Sequence, residues 1–307
     1  MIPDQRVIDA VNSAAADGDP VLIAIVGPTA SGKTALALDI AQYYGCDIIS
    51  ADSRQVYRDI PIGTAAPTSE ERQRVFHHFV GFLDLDAYYS AARFEEDVMA
   101  LLPDLFSRCG VAVMCGGSMM YVDAVLKGID EMPSVSESIR DYVLQMYHNS
   151  GFEAVKAQLQ ILDPEYYSQV DLKNPRRVIH AVEICLQSGR TYSSLRTGTV
   201  RKRPFKVVKV AVDISREQLF GRINARVARM IELGLVDEAR HAFEKGNFNS
   251  LNTVGYKELA AYFRGEMDLP ETVARIAKNT RVYAKKQMLW LRKNPDTIMV
   301  GQTPTRM

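Results

Sequence analysis

Val21-Leu-Ile-Ala-Ile-Val26 is an unbroken apolar run. A half-exposed strand would alternate, so this run predicts a central parallel strand covered on both faces. A glycine-containing turn follows, and residues 34–44 then read as a helix. Cys46-Asp-Ile-Ile-Ser50 predicts a second strand ending at Ala51-Asp52. Phe94, Val98, Leu101, Leu102 and Leu105 recur at helical spacing, after which Val111 to Cys115 predicts a third buried strand. Strands alternating with helices define an α/β fold with a parallel sheet.

Between residues 131 and 200 the pattern becomes purely helical. Ser134 and Glu137 have capping-box spacing, and Asp163-Pro164 and Asn174-Pro175 each pair an N-cap residue with proline at the first helical position. Gly151 and Gly189 read as helix stops. A β-rich run from Phe205 to Ile214 resumes the sheet. Ser215 and Gln218 then cap a helix with Leu219, Ile223, Val227, Met230 and Ile231 on one face. The expected organisation is an N-terminal extension (1–19), the first part of an α/β core (20–130), a helical insertion (131–200), and core completion with basic C-terminal helices (201–307).

Composition narrows the class without naming the activity. The chain has 307 residues, 47% hydrophobic and 24% charged, the profile of a globular protein. It contains no apolar run near the length of a membrane span and no basic-then-apolar leader, so no membrane association and a cytoplasmic location are expected. Four scattered cysteines and five histidines show no zinc-ligand spacing, and reduced thiols are expected. Lys plus Arg and Asp plus Glu both total 37, a balance that speaks against a uniformly basic nucleic-acid binder.

Position along the chain changes that reading. Residues 172–206 carry nine cations (Lys173, Arg176, Arg177, Arg190, Arg196, Arg201, Lys202, Arg203, Lys206) against one acid, Glu183. Residues 275–293 carry seven cations and no acid, with Arg275, Lys278, Arg281 and Lys285 along one helical face. Arg176 and Arg177 fall in the first turn of a helix, where a cation is disfavoured by roughly 0.3–1 kcal/mol unless an anion binds there. Two such clusters favour a polyanion such as RNA as partner.

Gly27-Pro28-Thr29-Ala30-Ser31-Gly32-Lys33-Thr34 matches the phosphate-loop pattern, between a predicted strand and a predicted helix. Its backbone N–H groups and the helix N-terminus attract phosphate oxygens, Lys33 adds a full charge, and Thr34 can hold Mg²⁺. A hydrolase or kinase usually adds an acid at the end of a later strand. Here that strand runs into Gly116-Gly117-Ser118, and the strand-end acid is Asp52 instead. A carboxylate at a parallel strand's end faces the ligand crevice and can accept a proton. The pattern favours group transfer from a pyrophosphate. A small-molecule kinase or ATPase stays open, as does RNA binding without catalysis.

Together these residues resemble the tRNA dimethylallyltransferase (tRNA isopentenyltransferase) family. The motifs are the phosphate loop, Asp52-Ser-Arg-Gln-Val-Tyr57, Ile62-Gly-Thr64, Gly116-Gly117-Ser118, Asn174-Pro-Arg-Arg-Val178, Gly255-Tyr-Lys-Glu258, and the stretch from Asn279 to Trp290. The resemblance implies a P-loop-type sheet with a helical insertion. It also implies transfer of a dimethylallyl group from dimethylallyl diphosphate to N6 of the adenosine 3′-adjacent to the anticodon. Asp52 would be the general base, with Thr29 and Arg222 acting on the leaving group and Thr34 placing Mg²⁺. Asp52, Ser53, Arg54, Gln55, Ser118, Arg140, Arg176 and Arg177 would contact tRNA, and a monomer is expected. Prenyl transfer to free adenine nucleotides is the related alternative. The sequence departs from the family pattern at Ala66, where a lysine is common, at Ser118 in place of threonine, and at Met119-Met120.

Overall fold

A computed structural model describes residues 2–301. The strands are β1 (Val21–Val26), β2 (Ile48–Ser50), β3 (His77–His78), β4 (Val111–Cys115), β5 (Lys206–Val212) and β6 (Ile298–Val300). They form one sheet in the order β3-β2-β4-β1-β5-β6, with every neighbouring pair parallel. All of β1 is buried, as its apolar run requires. Ile25 pairs with Cys115 of β4 and with Val210 of β5, so these strands end together at one edge. That carboxyl edge is where open parallel sheets bind ligands.

Two strands escape the sequence reading. β3 and β6 are too short to carry a detectable period, and β2 begins at Ile48, two residues later than expected. The N-terminal extension carries a helix that packs on the core. Helix Gln5–Ala14 buries Val7 and Val11 in the cluster that contains Ile23, Val208 and Val210. Its polar outer face hid this amphipathic packing. No helix among the described residues is long and apolar enough to cross a membrane.

The chain divides into two compact units: residues up to Leu126 together with those from Lys202 onward, and Lys127–Arg201. In the second, helices Glu137–Leu162 and Pro175–Ser188 pack around Val143, Val155, Leu159, Val178 and Val182. Asp163 and Asn174 cap their helices through the N–H groups of Tyr166 and Arg177. The fully buried Asp163 also accepts the Ser193 N–H at 2.7 Å and the Ser193 hydroxyl at 2.9 Å. Gly151, at φ 79°, breaks the first helix, and Gly189, at φ 65°, ends the other. Ser134 caps nothing. Ser136 holds the N-cap position instead, without a side-chain cap, and its hydroxyl pairs with that of Ser138 at 3.1 Å.

The basic stretch also resolves differently from its sequence. Arg203 is not an RNA-facing cation but a core residue, 2.6 Å from Glu95 with both side chains under a tenth exposed. It also donates to the Ala124 carbonyl at 2.6 Å. Arg201 pairs with Glu131, and Lys206 with Asp19. Removing one partner of a buried pair strands the other charge, at a cost of about 3–5 kcal/mol. Glu95→Ala is therefore expected to lower the unfolding free energy by about that amount, measured by urea titration. A loss below about 1 kcal/mol, typical of a solvated pair, would contradict a desolvated one.

Candidate active site

The phosphate loop turns between β1 and helix Lys33–Tyr44. Gly32 is the N-cap of that helix at φ 101°, a conformation that L side chains rarely adopt. Lys33 Nζ folds back to the Pro28 carbonyl at 2.8 Å. Burial pushes its ammonium below the usual lysine range, and Arg226 adds to that effect. A bound polyanion would restore the favourable charged state.

A cavity of about 390 Å³ opens over the loop, lined by Thr29, Ala30, Gly32, Lys33 and Thr34. Gly27 and Pro28 form the loop's base, outside that lining. Ser31 is fully buried, with its hydroxyl unpartnered among the described residues, and it too does not line the cavity.

Arg222 lies against the phosphate loop, near Gly32, but outside the cavity lining. It donates to the Ser31 carbonyl at 3.2 Å. Arg226, one turn later on helix Arg216–Glu232, lines the cavity and donates to Thr29 Oγ1 at 3.2 Å. Burial lowers its pKa from the ordinary arginine value. The two arginines share a helix face, so choosing between them needs the helix's rotation against the loop, which sequence does not show.

Asp52 follows β2 and faces the same cavity. Its Oδ1 accepts the N–H groups of Arg54 at 2.9 Å and Gln55 at 3.4 Å, while Oδ2 accepts none among the described residues. Burial pushes its carboxyl above 3.8, against the pull of those N–H groups and of Lys33 and Arg54. Ser118 Oγ accepts the Ser53 N–H at 2.9 Å, fixing the turn beside Asp52. Gly116 is required by close approach, since a Cβ there would run into the Ala51 carbonyl.

Of the other expected RNA contacts, Ser53 and Arg54 line the cavity. The Gln55 side chain also lies in its wall, but its amide is spent on Ser50, Thr64 and Ala65. Arg140, Arg176 and Arg177 are exposed on the second unit. No ion pair engages Arg176 or Arg177 among the described residues.

The dispersed motifs meet in one wall. Glu238 accepts the N–H groups of Ile62 at 2.7 Å and Gly63 at 2.8 Å, together with the Tyr256 hydroxyl at 2.5 Å. Glu258 accepts from Gly255 N–H at 2.7 Å and Asn279 Nδ2 at 2.6 Å. An adjoining cavity of about 410 Å³ is lined by Tyr57, Tyr88, Tyr89, Tyr121, Met119 and Met120. It shares Ser53, Arg54, Ser118 and Tyr283 with the first cavity. Among the cavity residues given no role in the sequence are Arg226, hidden among many arginines, and Gln287, which no periodicity marks as polar and buried.

Fold and site define a P-loop α/β protein whose phosphate-loop cavity also contains a recessed carboxylate. A family model described as IPP transferase matches residues 55–294. A protein of Bacteroides thetaiotaomicron named tRNA dimethylallyltransferase 1 is 50% identical over 277 residues, covering 90% of each chain. One of the same name from Phocaeicola vulgatus is 49% identical over 277 residues, 90% of this chain and 92% of that one. The full-length tRNA isopentenylpyrophosphate transferase of Bacillus halodurans has a similar structure, with a TM-score of 0.68 and 33% identity over 94% of this chain and 92% of that one. A eukaryotic dimethylallyltransferase solved acting on tRNA shares the fold, with a TM-score of 0.77 and 24% identity over 93% of this chain and 74% of that one. The chain belongs to the IPP transferase family.

The cavity's cations make distinct predictions for anion binding. A charge-assisted hydrogen bond contributes about 1.5–3 kcal/mol. Arg226→Gln should therefore weaken inorganic pyrophosphate binding, measured by calorimetry with Mg²⁺, by at least about tenfold, and Arg222→Gln by under about threefold. Equal losses would return Arg222 to the site.

Proposed function

We propose that this protein transfers the dimethylallyl group of dimethylallyl diphosphate to N6 of an adenosine in tRNA, the one 3′-adjacent to the anticodon. The observation that carries the reading is the single cavity holding a phosphate loop, Arg226 and a carboxylate with a free oxygen. The names of the relatives agree with it. The prenyl C–O bond breaks, and the diphosphate takes the electron pair. The new N–C bond forms at N6, and Asp52 Oδ2 receives the N6 proton. Lys33, Arg226 and the Thr29 hydroxyl face the oxygens that gain charge, which is where preorganised donors lower a barrier most.

Mg²⁺ fits this chemistry as a companion of the diphosphate. No group of three or more His, Cys, Asp or Glu among the described residues could hold a metal alone. Thr34 lines the cavity, and Mg²⁺ characteristically takes few protein ligands and several phosphate oxygens. Bound there, it would neutralise leaving-group charge.

An adenine stacked in a loop cannot reach a recessed carbon, so the base enters unstacked. Exposed Arg140, Arg176 and Arg177 of the helical unit serve RNA phosphates, which position the substrate. A kinase or ATPase reading is weaker because β4 ends at Cys115, a thiol pushed up to about 11 by burial, where such enzymes keep an acid. A free nucleotide would leave the arginine pair on helix Pro175–Ser188 without a role. With tRNA as acceptor, the proposal carries a cytoplasmic location and a monomeric enzyme.

The direct test incubates the protein with dimethylallyl diphosphate, Mg²⁺ and unmodified tRNA, then reads nucleoside masses after digestion. Five-carbon addition to adenosine is expected, and transfer to free nucleotide or ATP turnover instead would sink the reading. Asp52→Asn should lower kcat by about 10²–10⁴-fold with tRNA affinity unchanged. Only the carboxylate accepts a proton, so kcat/KM should fall as pH drops, with a midpoint above the ordinary 3.8. A midpoint at or below that value would remove Asp52 as the base. Arg176→Ala with Arg177→Ala should flatten the salt dependence of tRNA binding by about one log–log unit per lost phosphate contact. An unchanged slope would take the arginine pair off the phosphates.

A further inference from the structure

Gln287 is 2% exposed on helix Leu269–Arg292. A buried amide needs partners at both ends. Oε1 accepts the Thr29 N–H at 2.8 Å, and Nε2 donates to the Gly117 carbonyl at 2.8 Å. The two partners belong to opposite halves of the cavity. Thr29 is the phosphate-loop residue whose hydroxyl meets Arg226. Gly117 precedes Ser118, which holds the Ser53 N–H next to Asp52. A Cβ at Gly117 would collide with the Gln287 amide, so the glycine makes room for this contact.

The helix does not need Gln287 for its own anchorage. Ile276, Ala277 and Ala284 seat it in apolar clusters, and Trp290 Nε1 donates to Asp123 at 2.7 Å. The amide's polarity is matched instead to one donor on the leaving-group side and one acceptor on the base side. Methionine would fill the volume and satisfy neither. Glutamate would keep the acceptor for Thr29 but present no proton to Gly117.

We infer that Gln287 is a positioning residue for prenyl transfer, setting the separation between the leaving-group loop and the turn that carries Asp52. The inference rests on the function proposed above. Misplacing a reacting group by about 1 Å can cost up to 10²-fold in rate. It concerns alignment, so the effect should appear in kcat rather than in tRNA binding.

The test compares Gln287→Met, Gln287→Glu and the same-helix control Trp290→Phe, each with and without Asp52→Asn. Both Gln287 variants should lose about 10–100-fold in kcat, with KM for tRNA within about twofold of the parent. Trp290→Phe should lower the thermal transition while keeping kcat within about twofold. In the Asp52→Asn background no carboxylate remains to be aligned with the leaving-group loop, so Gln287→Met should cost under about threefold more. A kcat loss of the same size in both backgrounds would overturn the inference. So would activity that returns to the parent value once corrected for the folded fraction. Absence of prenyl transfer by the parent protein would instead reject the function itself.

Discussion

Two desolvated cations, Lys33 and Arg226, share one small cavity, and burial lowers the pKa of both. Like charges held in a low-dielectric recess favour a multiply charged anion, and the rest of the site follows from seating it. The phosphate loop must keep its glycine conformation, and the helix behind it must point its N-terminus inward. Asp52 then lies at the neighbouring strand end, beside the anion yet free at one oxygen. Burial keeps its carboxyl from being as acidic as a surface aspartate, which suits the proton acceptor proposed for this position.

The parallel sheet makes this juxtaposition possible. β1, β2 and β4 end at the same edge, so the loops that follow them meet without long excursions. The close passage of Gly116 against the Ala51 carbonyl is the cost of that convergence. Behind it, half-buried Glu238 holds the N–H groups of the distant Ile62 and Gly63, and buried Glu258 ties Gly255 to Asn279. Neither is placed to touch the reacting atoms.

Much of this was legible from residues alone. β1 and β4 announce themselves as continuous apolar runs, and Asp163 and Asn174 cap helices where their Pro partners say they should. The phosphate loop and Asp52 follow from strand ends. Three things were not legible. β3 and β6 are too short for a period, the second cavity cation depends on helix rotation, and Gln287 is a polar residue whose partners are far away in sequence. Charge counting misled twice: the neutral total hid a basic stretch, and the basic stretch hid Arg203, which belongs to the core.

The proposed reaction requires one cavity to bring a prenyl diphosphate and an RNA adenine to opposite sides of the same reacting carbon. A crystal structure with a non-hydrolysable dimethylallyl thiolodiphosphate, Mg²⁺ and an anticodon stem-loop tests it most directly. Diphosphate oxygens are expected on the phosphate loop, in contact with Lys33 and Arg226, with adenine N6 about 2.6–3.2 Å from Asp52 Oδ2. A diphosphate on the loop with the base stacked in the RNA, or bound away from Asp52, would contradict it.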